Sequence, residues 1–80
     1  MTDRTLVGDM SEQGTHFWFM SMQTANAAGY YLNSYQGTVT PARGATRLDL
    51  FNEVRGFVEE NDPRSKGGIV LAFDIQRNKI

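Results

Sequence analysis

The run HFWFMSM, residues 16–22, constrains the fold of this chain more than any other stretch. Successive side chains of a strand point to opposite faces, so a strand with one wet side alternates apolar and polar residues. Here His16, Trp18, Met20 and Met22 share one parity, while Phe17 and Phe19 take the other. A strand that begins apolar on both parities belongs in the middle of a sheet. Each of its faces then needs a cover.

The flanking sequence supplies the neighbours. His16 to Thr24 reads as strand one, and Asn26 to Gly29 is a turn signal. Tyr30 to Val39, rich in Tyr, Thr and Val, reads as strand two, and the spacing makes the pair an antiparallel hairpin. Pro41 to Gly44 ends it. Thr46 is a good helix N-cap, with Asp49 at the position where a capping box usually places Glu or Gln. The helix runs to about Asn61, with Leu50, Phe51, Val54, Phe57 and Val58 on one face. Arg55 and Glu59 are spaced to pair across one turn. Mid-helix Gly56 either admits a close backbone neighbour or is a site without one. Asp62 and Pro63 stop the helix, and Lys66 to Gly68 form a loop. Ile69 to Gln76 reads as strand three, with Ile69, Leu71, Phe73 and Ile75 on one face.

The expected architecture is therefore α+β, in the order β-β-α-β, as one domain over residues 1–80. Residues 1–14 form a tail or a short extra strand, and residues 15–80 form the core. A strand–helix–strand crossover joins parallel strands in a right-handed sense. Strand one then fits between the other two, giving the sheet order 2-1-3 with one helix packed on one face.

The turn fixes the register, placing Ala25 opposite Tyr30, Met20 opposite Tyr35 and Trp18 opposite Gly37. Cross-strand pairs share a face. The helix side then carries His16, Trp18, Met20, Met22, Tyr31, Tyr35 and Val39, with the Trp18 ring covering the backbone that Gly37 exposes. The other side carries Phe17, Phe19, Ser21, Gln23, Leu32, Ser34, Gln36 and Thr38, with Val70, Ala72, Asp74 and Gln76 from strand three. One helix covers one side only. Phe17, Phe19, Leu32, Val70, Ala72 and Asp74 form the expected interaction surface, an apolar patch inside a polar rim. A second copy of the chain is the first candidate for its cover. Leu6, Val7 and Met10 of the N-terminal segment are the second, and single-stranded nucleic acid stacking on the rings is the third.

Composition narrows the chemistry. The 80 residues include no cysteine and one histidine, so neither a disulfide framework nor a thiolate or His-rich metal site is expected. No cofactor is expected either. Lys and Arg number 8 against 9 Asp and Glu, and Arg4, Arg43, Arg64 and Arg77 are scattered, which disfavours nucleic acid. No apolar run reaches membrane length and no secretory h-region opens the chain, so no membrane contact and a cytoplasmic location are expected.

No nucleophile–base pair stands out, and the sequence points to a non-enzymatic protein. His16 reads as a partly buried structural histidine and Asp74 as a hydrated carboxylate on the open face. Glu59 to Asp62 read as a solvated acidic helix end. Arg43, near the helix N-terminus, has no phosphate-loop motif around it. The methionines read as packing filler.

The run GTVTPARGATRLDLF, residues 37–51, resembles small uncharacterised proteins of actinobacteria and their phages. The resemblance covers under a quarter of the chain and implies no activity and no site residue. It implies a mobile-element setting, in which small proteins bind and inhibit something. The expected function is a small protein-interaction module, homodimeric through the open sheet face, acting as a regulator or inhibitor. Single-stranded nucleic-acid binding through the sheet aromatics is the alternative.

Overall fold

A computed structural model describes residues 13–80. Strand β1 spans His16–Asn26, β2 spans Gly29–Val39, helix α1 spans Arg47–Asn61, a 3-10 turn spans Pro63–Ser65, and β3 spans Ile69–Arg77. The sheet order is β2-β1-β3, with β1 antiparallel to both neighbours. The α+β fold, the strand order and the hairpin register are those the sequence predicts, with Trp18 opposite Gly37 and Met20 opposite Tyr35. Of the N-terminal segment 1–14, read as a tail or short extra strand, residues 1–12 lie outside the described residues, and Gln13 and Gly14 are not in a strand.

Local chemistry sets each boundary. The hairpin reverses through Ala27 and Ala28, with the Ala28 N–H donating to Asn26 Oδ1 at 2.8 Å and Gly29 taking φ 130°. That backbone region is costly for residues with a Cβ. At α1 the capping box is complete despite its shorter acid. Asp49 N–H donates to Thr46 Oγ1 at 3.1 Å, and Thr46 N–H donates to Asp49 Oδ2 at 3.0 Å. At the far end the Asp62 N–H donates to Val58 O, and Pro63 prevents a further turn.

One face of β1 is closed. Trp18, Met20 and Met22 are buried against Leu50, Val54 and Val58 of α1 and Ile75 of β3. Tyr35, Val39, Ala45, Phe51, Val70 and Phe73 pack around this core. The Trp18 indole lies over Gly37, where an added Cβ would come within 2.9 Å of the ring. Phe51 meets Phe73 edge to face at 5.3 Å, and Phe57 meets Trp18 in the same way at 6.1 Å. Phe57 nevertheless stays exposed. It sits at the margin of the apolar helix stripe, which is therefore narrower than its spacing predicts.

Strand β3 departs from the expected alternation. Phe73 pairs with Met20 and Ile75 with Trp18, as the pattern requires. Between Ser21 and Met22 the register shifts, so Val70 comes opposite Met22 and Ile69 opposite Gln23. This bulge inserts one residue and exchanges the parity of everything before it. Val70, expected on the open face, packs against the core instead. Ile69 and Leu71, expected in the core, are exposed.

The connection back to β3 is clipped to the helix. Arg55 Nη2 donates to Gly68 O at 2.9 Å, Arg55 Nε lies 3.5 Å from Glu59 Oε2, and that oxygen accepts from the Gly67 N–H at 3.1 Å. Gly68 is pressed against Thr24 Oγ1, so a side chain there would collide. Gly56 has no such reason: nothing lies within 4 Å of the position its Cβ would take.

Two substitutions test these assignments by urea unfolding. Gly56→Ala is expected to raise stability by about 1 kcal/mol, since it adds helix propensity into open space. Gly37→Ala is expected to lower stability by about 1–3 kcal/mol, since it displaces the buried indole.

Candidate interaction surface

The side of the sheet away from α1 is built in rows across three strands. Phe17 lies between Thr38 and Gln76, and Phe19 between Gln36 and Asp74. Ser21 lies between Ser34 and Ala72, and Gln23 between Leu32 and Ile69. Among the described residues no helix or strand covers these rows. Phe17 remains 40% exposed, Leu32 63% and Ile69 66%. Phe19 is half-buried, and Ala72 and Asp74 are exposed.

Of the six residues expected on this surface, Phe17, Phe19, Leu32, Ala72 and Asp74 lie on it. Val70 does not, because the bulge turns it inward, and Ile69 takes its place in the row. The face has two apolar zones. Phe17 and Phe19 mark one, and Leu32 with Ile69 marks the other, about 17 Å further along β1. The Ser21 and Ser34 hydroxyls, 2.8 Å apart, bond to each other between them. Asp74 is the one acidic or basic side chain in the four rows, and its Oδ2 accepts from Gln76 Nε2 at 3.1 Å. The expectation that Leu6, Val7 and Met10 fold over the phenylalanines falls outside the described residues.

A second cluster, not anticipated from the sequence, joins β2 to the end of α1. Asp62 Oδ2 accepts from the Tyr31 hydroxyl at 2.7 Å and from the Tyr35 hydroxyl at 2.8 Å. Asp62 Oδ1 accepts from Arg64 Nε at 3.1 Å, and the Arg64 guanidinium lies over the Tyr31 ring at 4.5 Å. Buried Ser65 donates its hydroxyl to the Asp62 carbonyl at 2.8 Å. The two tyrosine bonds hold the Asp62 carboxyl well below the usual carboxylate range. Burial, with the Asp62 bond second, pushes the Tyr35 phenol from the usual 10.0 up to about 12. The Asp62 bond also raises Arg64. A carboxylate with so little proton affinity and a phenol that holds its proton so firmly are poorly suited to base catalysis. The arrangement suits a structural strut. The signal available in the sequence is the pair Tyr31 and Tyr35, which share the core-facing parity and bring hydroxyls that need partners there.

The remaining candidates are placed as follows. His16 is half-buried, with Nδ1 2.8 Å from Thr15 Oγ1. It lines an open groove at the strand ends with Gln13, Gly14, Thr15, Arg77, Asn78 and Lys79. Of the acidic helix end, Glu59 and Asp62 are committed to the contacts above rather than solvated. Among the described residues no three His, Asp or Glu side chains converge as a metal site, and no helix is long and apolar enough to cross a membrane. No protein-family model, curated protein or solved structure matches the chain. Its surface is therefore read from its own geometry.

The strut carries a pH signature. The folded pKa of Asp62 is lowered, so its stabilisation is present above about pH 4 and is lost as pH falls through the acid range. The folded pKa of Tyr35 is raised, so its stabilisation is present below about pH 10 and is lost as pH rises toward 12. Urea unfolding across pH should show Tyr35→Phe losing part of the neutral plateau while flattening the alkaline limb. Asp62→Asn should lower the same plateau and flatten the acid limb.

Proposed function

We propose that this protein is a non-enzymatic interaction module whose open sheet face is its contact surface, and that a second copy of the chain occupies it. The observation that carries the reading is the pair of exposed apolar zones on a face that no described element covers. Scattered surface apolar residues are ordinary, but a contiguous face with aromatic and aliphatic anchors inside a polar rim has the anatomy of an interface.

The size is adequate. Strands of 11, 11 and 9 residues offer a face of about 500 Å² per copy. A pair buries about 1,000 Å², near the lower bound for a specific interface. The resulting dimer is weak and exchanges its subunits. Asp74 does not oppose this arrangement, because it lies on an edge strand where its carboxylate keeps water or an amide partner. A dimer of this kind suits cytoplasmic regulation or inhibition, in which a small domain acts through the surfaces it presents to others.

A second reading has one observation in its favour. Phe17 and Phe19 stand about 7 Å apart on the central strand, a spacing on which two successive unstacked bases can lie. Arg77 and Lys79 line the groove at the adjacent strand ends. Against it, Asp74 sits directly beside Phe19, where a phosphate-bearing ligand is repelled.

Molar mass by light scattering over a dilution series decides between them. Self-association gives twice the 9.0 kDa chain mass at high concentration, falling on dilution. Leu32→Asp, at an exposed position that leaves the core intact, is expected to give a folded monomer by circular dichroism. A wild-type monomer at every concentration overturns the dimer. Salt-dependent binding of a short single-stranded oligonucleotide, lost in Phe17→Ala, establishes the second reading instead.

A further inference from the structure

The open face is complementary to its own image in one orientation. A two-fold axis between two such faces can run along the strands or across them. An axis along β1 lays β1 on β1 and β2 on β3 of the second copy, and every row stays level with itself. Phe17 then meets Phe17 and Phe19 meets Phe19. Leu32 meets Ile69 of the second copy at the far end, so both apolar zones find apolar partners. Asp74 meets Gln36 of the second copy, whose amide can donate to the carboxylate, and Thr38 meets Gln76. Ser34 meets Ala72, which demands nothing polar.

An axis across the strands at the centre of the face fails the same comparison. Centred on the Ser21 row, it lays β2 on β2 and β3 on β3 with the rows reversed. Asp74 then faces Ile69, and Leu32 faces Gln36. That buries a carboxylate against an aliphatic side chain with only the Gln76 amide of its own strand as partner, and the rest of its lost hydration goes uncompensated. The first orientation also agrees with the packing of twisted sheets, whose strand directions stay aligned to about 30°.

We propose that the dimer is built on a two-fold axis running along β1, so that β2 of each copy covers β3 of the other. This rests on the face-to-face association argued above and adds its orientation and its residue pairs.

The native chain has no cysteine, which makes single thiols clean reporters. Leu32→Cys and Ile69→Cys copies are prepared separately, mixed at high concentration, and treated with a short bis-maleimide. Each copy carries one thiol, so every bridge joins two copies. Both sites are already exposed, so the fold tolerates the change. The expected result is a bridged species in the mixture and none from either variant alone. Peptide mapping should find that bridge joining position 32 of one copy to position 69 of the other. Bridging of Leu32→Cys with a Gln36→Cys copy, in place of Ile69→Cys, overturns the axis in favour of β2 on β2. Dimeric mass by light scattering without bridging in the mixture also overturns it. Monomeric mass throughout removes the association itself, so the two failures are told apart.

Discussion

The structure depends on β1 being pinned from three directions. Its backbone is paired on both edges, and its Trp18, Met20 and Met22 side chains are closed over by α1. An isolated hairpin is marginal in water, and a single amphipathic helix of 15 residues is not stable alone. Each acquires its stability from the central strand. The Trp18 ring contributes twice, filling the core and shielding the Gly37 backbone of the neighbouring strand. Loss of contact at this row would loosen the hairpin and the helix packing together.

The Asp62 strut addresses a different weakness. A helix that ends in acidic residues works against its own dipole, and the chain must reverse at once to enter β3. Asp62 turns that liability into a junction by accepting from Tyr31 and Tyr35 of the edge strand and from Arg64 of the turn. The Arg55 and Glu59 clip on Gly67 and Gly68 holds the following loop in the same way. The return to β3 is therefore fixed by side-chain bonds where the apolar core has run out.

Much of this is legible in the sequence because it rests on short-range rules. The hairpin register follows from a two-residue reversal bounded by Asn26 and Gly29, and register decides every face assignment on β1 and β2. The helix follows from Thr46, the stripe at Leu50, Val54 and Val58, and Pro63. Two things are not legible. Nothing near Leu71 marks a bulge, because alternation in IVLAFDIQ is equally apolar in either parity before Ala72. That one inserted residue moves Val70 inward and Ile69 outward. The strut is hidden because Asp62 finds its tyrosines 27 and 31 residues away. Only the unsatisfied hydroxyls of Tyr31 and Tyr35 point to it.

The bulge also bears on what the open face can do. Had the alternation run unbroken, Val70 would have stood beside Gln23, and Ile69 would have stayed on the helix side. Ile69 presents one more methylene than valine, and it does so on an edge strand, where its side chain projects clear of β1. In the proposed dimer it faces Leu32 on the opposite edge of the second sheet. That proposed contact would close the far end of the face with both edge strands, while β1 supplies Phe17 and Phe19 at the near end. Each strand of the sheet then contributes to both sides of the domain: an inner residue to the core under α1 and an outer residue to the face beyond it. Among the described residues no element covers that face, and in the proposed dimer a second copy supplies the cover.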